Sequence, residues 1–168
     1  MFRSRGGTLR GRSVRRSLAT AFLQLSLAAC LVVDSVVHLD DAAFYEPVHG
    51  ALIGEADLFR VQAIVALVIA AVVLVRPGRL AWALAALVSG SAAGAVVLYT
   101  YLDVGPLAGL PNLYEPSWGP PGKLASAVAE GAGLLLAVTG LLSSRHRPHA
   151  QVPVHGYANL SEHAPGGP

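Results

Sequence analysis

Long apolar runs alternate with short polar stretches along the chain. Four runs contain almost no ionisable side chain, and they cover residues 17–39, 58–75, 80–102 and 123–142. A helix rises ~1.5 Å per residue, so runs of about 18–23 residues span a hydrocarbon layer ~30 Å thick. A soluble helical bundle would need a charged stripe along each helix, which these runs lack. The pattern predicts an all-α polytopic membrane protein, an antiparallel bundle of four transmembrane helices.

The remaining segments are expected to form tails and loops. The tails lack an apolar period, and the loops contain the Pro and Gly residues that interrupt helices. We predict a basic disordered arm at residues 1–16, outer loops at residues 40–57 and 103–122, and a disordered tail at residues 143–168. The membrane domain is therefore predicted to cover residues 17–142. Trp82 at one end of the third run and Tyr99 and Tyr101 at the other are expected to form interfacial aromatic belts.

Composition supports a lipid environment, since 54% of the 168 residues are hydrophobic and only 13% are charged. Soluble domains contain about a quarter charged residues. The charge distribution also predicts an orientation. Ten of the twelve basic residues precede the first run, follow the last run, or lie between the second and third runs. By the positive-inside rule, both termini are expected in the cytoplasm. The preference for Arg over Lys, with many Ala, Gly and Val residues, suggests a bacterial protein of the cytoplasmic (inner) membrane.

Two carboxyl groups are predicted to lie inside the membrane. Asp34 is ~8 Å below the outer boundary, and Glu130 is ~10 Å below Lys123 at the start of the last run. A charge at this depth costs about 2.5–3.5 kcal/mol on insertion scales unless it is protonated, paired or hydrated. Partners are therefore expected, and the two acids could meet if the first and last helices are neighbours. The candidate pocket residues are Asp34, His38, Gln62, Tyr101 and Glu130, with Arg60 and Lys123 as charge partners.

Three interpretations fit these residues. In the first, Asp34, His38 and Glu130 form a pocket that binds a ligand or handles protons from the outside. In the second, imidazole and carboxylate groups capture a divalent metal ion; the weak candidates are His38, Asp40, Asp41 and His49. In the third, the charges only connect helix ends and loops. No pair of candidate metal ligands has a tight spacing such as H-x-x-x-H.

The sequence contains none of the common catalytic signatures. The phosphate loop G-x-x-x-x-G-K-[ST], the nucleophile elbow G-x-S-x-G and the zinc motif H-E-x-x-H are all missing. No catalytic residue and no cofactor is identified. The single cysteine, Cys30, has no partner for an internal disulfide. It ends a Leu-Ala-Ala-Cys string that matches a lipoprotein cleavage site, and cleavage there would leave three spans. The alternative is a small packing residue within the membrane.

Several strings resemble those of small uncharacterised four-span bacterial membrane proteins. They are His38-Leu39-Asp40, Ile53-Gly54 with Leu58-Phe59-x-x-Gln62, the segment LPNLYEPSW from Leu110 to Trp118, and Lys123 to Gly131 with Ser126 and Glu130. The resemblance covers about residues 34–140. The layout is also similar to that of DoxX-like four-helix proteins, some of which are linked to quinone-coupled oxidation.

Together these features predict a non-enzymatic binding or accessory protein with a polar pocket on the extracytoplasmic side. Its expected partners are the lipid bilayer and a small ligand or a quinone, with no nucleic acid. The alternative, implied by the DoxX-like layout, is a membrane subunit of a quinone-coupled oxidoreductase.

Overall fold

The computed structural model describes residues 6–120 and 122–144, with side chains from residue 17 onward. It contains four helices, α1 (Gly6–Phe44), α2 (Glu55–Val75), α3 (Arg79–Tyr101) and α4 (Lys123–Ser144). No strand occurs in this part of the chain; His49 and Gly54 form an isolated β-bridge. The all-helical, four-helix prediction is therefore confirmed.

All four helices are long and apolar enough to cross a membrane. Only 28–33% of the most apolar window of each helix is buried inside the protein. The outward faces therefore carry large apolar side chains, including Phe22, Leu25 and Leu135, each more than 60% exposed. A water-soluble protein rarely exposes a continuous apolar surface of this kind. By length and composition, the chain is a multi-pass membrane protein.

The helix ends differ from the predicted segment boundaries. Helix α1 begins at Gly6, within the arm that was expected to be disordered, and continues past residue 39 to Phe44. The Asp-Asp-Ala-Ala stretch after Leu39 contains no helix breaker, and the chain first meets one at Pro47. Helix α4 ends at Ser144. Residues 1–5 of the predicted arm and residues 145–168 of the predicted tail lie outside the described residues.

The helices form a ring in which α1 contacts α2 and α4, and α3 contacts α4. Among the neighbouring pairs of this ring, α2 and α3 make the sparsest contact. Two halves of this bundle can be distinguished. The turn half surrounds the short α2–α3 connection at residues 76–78. The loop half surrounds the two long connections, α1–α2 and α3–α4.

The turn half is closely packed. Its core consists of small and branched apolar side chains from all four helices around the Trp82 ring, among them Leu27, Ala66, Ala70, Val73, Ala85 and Ala137. A Cβ atom added to Gly140 would overlap the Trp82 ring. Trp82 is only 4% exposed. The prediction that Trp82 belongs to an interfacial belt was wrong, because Gly140 leaves room for the indole inside the bundle.

In the loop half, the two long connections pack against each other. The Leu52 amide donates to the Gly109 carbonyl at 3.0 Å. Gly50 lies where a Cβ atom would be 2.6 Å from the backbone nitrogen of Pro111. The second connection is also held at its end, since the Glu115 amide donates to the Tyr99 carbonyl at 3.0 Å. The loops therefore form one layer over this end of the bundle.

Candidate functional site

A cluster of polar side chains lies inside the loop half. We call it the polar cluster, and its members are Asp34 and His38 of α1, Gln62 of α2, and Ser126 and Glu130 of α4. Helical spacing places them: residues four apart share a face, so Asp34 lies one turn below His38 and Glu130 one turn below Ser126. Because α1 contacts both α2 and α4, the three groups of side chains converge.

Asp34 is the centre of this network and is only 2% exposed. Gln62 Nε2 donates to Asp34 Oδ2 at 3.1 Å. His38 Nδ1 lies 3.0 Å from Asp34 Oδ1 and 2.9 Å from the Asp34 carbonyl oxygen. Both neighbours of Nδ1 are acceptors, so this nitrogen carries the proton. The Ser126 hydroxyl approaches Asp34 Oδ1 from α4 at 3.2 Å.

Ser126 also joins Asp34 to Glu130, since its hydroxyl lies 2.7 Å from Glu130 Oε1. One hydroxyl proton can be donated to only one of the two carboxyl groups at a time. Glu130 Oε2 has no hydrogen-bond partner, although the residue is only 1% exposed. A buried acceptor without a partner is costly. The cluster therefore has one unused acceptor, which can take a further proton or a hydrogen-bond donor.

Neither predicted charge partner reaches this cluster. Arg60 points outward and donates to Glu46 Oε2 at 2.6 Å and to Asp57 Oδ1 at 3.0 Å. Lys123 Nζ donates to the carbonyl oxygens of Glu115 and Ser117 and lies 5.2 Å from the centre of the Trp118 ring. Among the described ion pairs, the one basic group near Glu130 is His38, with Nε2 4.0 Å from Oε1.

A cavity of about 380 Å³ connects the polar cluster with the loop layer. His38, Gln62, Ser126 and Glu130 line its inner part. Its walls come mainly from α2 and α3. The wall residues are apolar and include Leu58, Phe59 and Val61 of α2 and the smaller Ala92, Ala95 and Val96 of α3. Small side chains on α3 explain why the two helices leave space between them.

Part of this wall is open at the side of the bundle. Val61 is 55% exposed, and Ser91 and Ala95 are also exposed while lining the cavity. Ser91 is ten residues before the end of α3, which corresponds to a depth of ~15 Å along the helix. The gap between α2 and α3 therefore lies beside the region where lipid chains would be.

The outer part of the cavity is acidic and aromatic. Asp41, Glu55 and Glu115 line it together with Tyr45 and Tyr99. Tyr45 and Phe59 pack edge to face with ring centres 5.0 Å apart, and Phe59 packs on His38 at 5.2 Å. Burial, together with the charges of Glu55, Glu115 and Asp41, raises the pKa of Tyr45 to about 12. Its phenol is therefore neutral at physiological pH.

The other predicted site residues are mostly exposed and outside the cavity. Tyr101 is 67% exposed and does not line the cavity. Asp40 and His49 are exposed, whereas Asp41 lines the cavity. Asp34, His38 and Glu130 offer ligand atoms within 4.8 Å of one another, so these three could hold a metal ion. The sequence-based metal set shares only His38 with them.

Sequence reasoning did not select several residues of this site. Ser126 could have been found, because it lies one helical turn before Glu130 on the same face. Glu55 and Tyr45 were not selected, because both lie in a segment predicted to be an outer loop. Glu115 comes from a Pro-rich segment whose path is not set by a periodic pattern.

The chain was also compared with known proteins. No family model, curated protein or solved structure matches it.

Proposed function

We propose that this is an integral membrane protein of the bacterial cytoplasmic membrane that binds a small ligand in the cavity of its loop half. In this proposal the termini are cytoplasmic, the loop layer faces the extracytoplasmic side, and the role is binding or accessory without catalysis. Asp34, His38, Gln62, Ser126 and Glu130 form the polar end of the binding site. The ligand occupies the space between these side chains and the loop layer.

One observation carries the proposal: Glu130 Oε2 is buried without a partner beside a cavity of about 380 Å³. Small-molecule sites are concave and mostly apolar, with a few convergent polar groups and volumes of about 300–1,000 Å³. If the polar cluster only held the helices together, its buried acceptors should all be satisfied, as buried polar groups generally are. A ligand donor at Glu130 would complete the network.

The proposal is tested by purifying the full chain in lipid nanodiscs and analysing bound small molecules and metals by mass spectrometry. We expect a stoichiometric small molecule with the wild type and its loss in Glu130→Gln. Glu46→Gln is the matched control, because Glu46 is an exposed carboxylate that does not line the cavity. A folded wild type whose cavity contains only lipid or detergent, identical in both variants, would contradict ligand binding.

The alternative is a DoxX-like membrane subunit of a quinone-coupled oxidoreductase. The observation in its favour is the apolar gap between α2 and α3, which would admit a lipid-soluble molecule. The same mass spectrometry separates the two proposals, because a bound quinone that is lost in Glu130→Gln would favour the oxidoreductase subunit.

The proposed orientation has its own test. In a Cys30→Ser background, a membrane-impermeant thiol reagent added from outside should label Ser117→Cys in the second loop. Gly78→Cys in the α2–α3 turn should be labelled only from the cytoplasmic side. The reverse pattern would place the loop layer and the cavity in the cytoplasm.

A further inference from the structure

We infer that the ligand is a small organic ammonium ion with an apolar body, bound through its N–H groups to Glu130 and admitted between α2 and α3. This inference rests on the proposed ligand-binding function and specifies the class of ligand. Charge, hydrogen-bond capacity, cavity shape and access support it separately.

Carboxyl groups outnumber basic groups around the cavity. The acidic residues that line it are Asp41, Glu55, Glu115 and Glu130, and Asp34 lies directly behind Ser126. The basic residues that line it are His38 and Lys123. The Lys123 ammonium is already directed at two backbone carbonyl groups. His38 uses Nδ1 on Asp34. In a low-dielectric site an unbalanced set of carboxyl groups favours a cation over a neutral or anionic ligand.

The unpaired oxygen of Glu130 favours a ligand that donates hydrogen bonds. Glu130 Oε2 needs a donor, but Ser126 bridges the two acids and Gln62 donates to Asp34. His38 Nε2 lies 4.0 Å from the other carboxyl oxygen, Oε1, which is beyond hydrogen-bond distance. An ammonium ion supplies only donors. A quinone or a carboxylate ligand would supply acceptors and leave Oε2 unpaired, which costs binding free energy.

The size and lining of the cavity suit an organic cation. A volume of about 380 Å³ is far larger than a single metal ion requires and suits a small organic molecule. The lining includes three aromatic rings, Tyr45, Phe59 and Tyr99. Aromatic rings attract organic cations through their electron-rich faces, and this attraction strengthens when water is excluded.

The cavity can be reached from the side of the bundle. The wall between α2 and α3 is exposed at Val61, Ser91 and Ala95, facing the region of the lipid chains. An amine with an apolar body can enter the bilayer in its neutral form and reach the acidic cavity from the side. A strongly hydrated ion would need a route through the loop layer instead.

The test uses three probes of similar size: 2-phenylethylamine, 2-phenylethanol and phenylacetate. Binding of each to the full chain in nanodiscs is measured by calorimetry, and Zn²⁺ is titrated separately. We expect the amine to bind at least ~10-fold more tightly than the alcohol, and phenylacetate not to bind, because a buried charge pair gives discrimination of this order.

Glu130→Gln should weaken amine binding on the order of 10- to 100-fold and leave the alcohol nearly unchanged. Glu46→Gln should change neither.

A second variant keeps the test independent of Glu130. Ala95→Leu fills the α2–α3 gap from an exposed position and should weaken both the amine and the alcohol. Equal affinity for amine and alcohol, with both sensitive to Ala95→Leu, would overturn the cation inference and leave the binding proposal intact. Zn²⁺ binding without any response to the amine would replace it with a metal site. If no probe binds and nothing co-purifies, both the inference and the proposed function fail.

Discussion

The two halves of the bundle are built from the same helices but are packed in opposite ways. In the turn half, Gly140 lets the Trp82 ring fill the space between α3 and α4, and the ring is surrounded by an apolar core. In the loop half, the buried residues include Asp34, Ser35, Ser126 and Glu130, and a cavity separates α2 from α3. Each helix runs through both halves, so close packing in the turn half also fixes the positions of the helices in the loop half. The comparison indicates that the turn half stabilises the fold, which allows the loop half to keep costly polar groups and unfilled space.

The largest effect is expected at Gly140, where the missing side chain leaves room for the Trp82 ring in the turn half. Gly140→Ala places a Cβ atom within the Trp82 ring, so the indole or a helix must shift. Overpacking of this kind costs about 1–3 kcal/mol. We expect a lower unfolding temperature in detergent, measured by intrinsic tryptophan fluorescence.

Gly94→Ala is the control for this change. Gly94 is also a helix glycine, and an added Cβ there meets no atom within 4 Å. Alanine has the higher helix propensity, by up to about 1 kcal/mol, so stability should be unchanged or raised. Equal destabilisation by both variants would show that the turn half is not specially packed at Gly140.

A local effect is expected where the loops meet. Gly50→Ala would force a Cβ atom against the backbone of Pro111 and Gly109, which cannot rotate away. The two connections should separate while the turn half stays folded. Hydrogen exchange should become faster at the amide of Leu52, which donates to Gly109, and remain unchanged at core positions of α3. Gly78→Ala, in the opposite turn, meets only one atom, at 3.9 Å, and should leave exchange in the loops unaltered.

A small effect on stability is expected in the polar cluster. Glu130→Gln keeps an acceptor for the Ser126 hydroxyl and removes the cost of an ionised group inside the membrane. The unfolding temperature should be unchanged or slightly raised, by a free energy below about 1 kcal/mol. A large loss of stability would mean that Glu130 is a structural element of the bundle, and the contrast between the two halves would then be weaker.

The sequence predicted the helices better than the packing between them. Four apolar runs are enough to predict four membrane helices, because lipid requires every backbone group to be satisfied within a helix. The pairing of Asp34 with Glu130 could be anticipated because buried acids need partners. The position of Trp82 could not, since it depends on Gly140, which is distant in the sequence and lies on another helix. The cavity could not be predicted either, because it results from small side chains on α3 facing larger ones on α2, a relation that no single run contains.

The loops were the least predictable part. Glu55, Glu115 and Tyr45 reach the cavity only because two irregular segments pack on each other through glycine contacts. Periodicity gives no information about such segments, so acidic residues there were expected to be solvated.

The smallest effect is expected on the titration of Tyr45, in the acidic outer part of the cavity. This part of the loop half contains several carboxyl groups, whereas the core of the turn half is apolar. Burial and three neighbouring carboxylates raise the pKa of Tyr45 to about 12, compared with ~10 for an unperturbed tyrosine. Because the raised pKa favours the neutral phenol in the folded state, its contribution to stability is complete below pH ~10. This contribution is lost as the pH rises toward 12. In ¹³C-tyrosine NMR of the protein in detergent, Tyr45 should titrate near pH 12 and its signal should be missing in Tyr45→Phe. Titration of Tyr45 at pH ~10 would mean that the outer cavity is hydrated and its carboxylates are screened from the phenol, and the charge argument for a cationic ligand would lose its support.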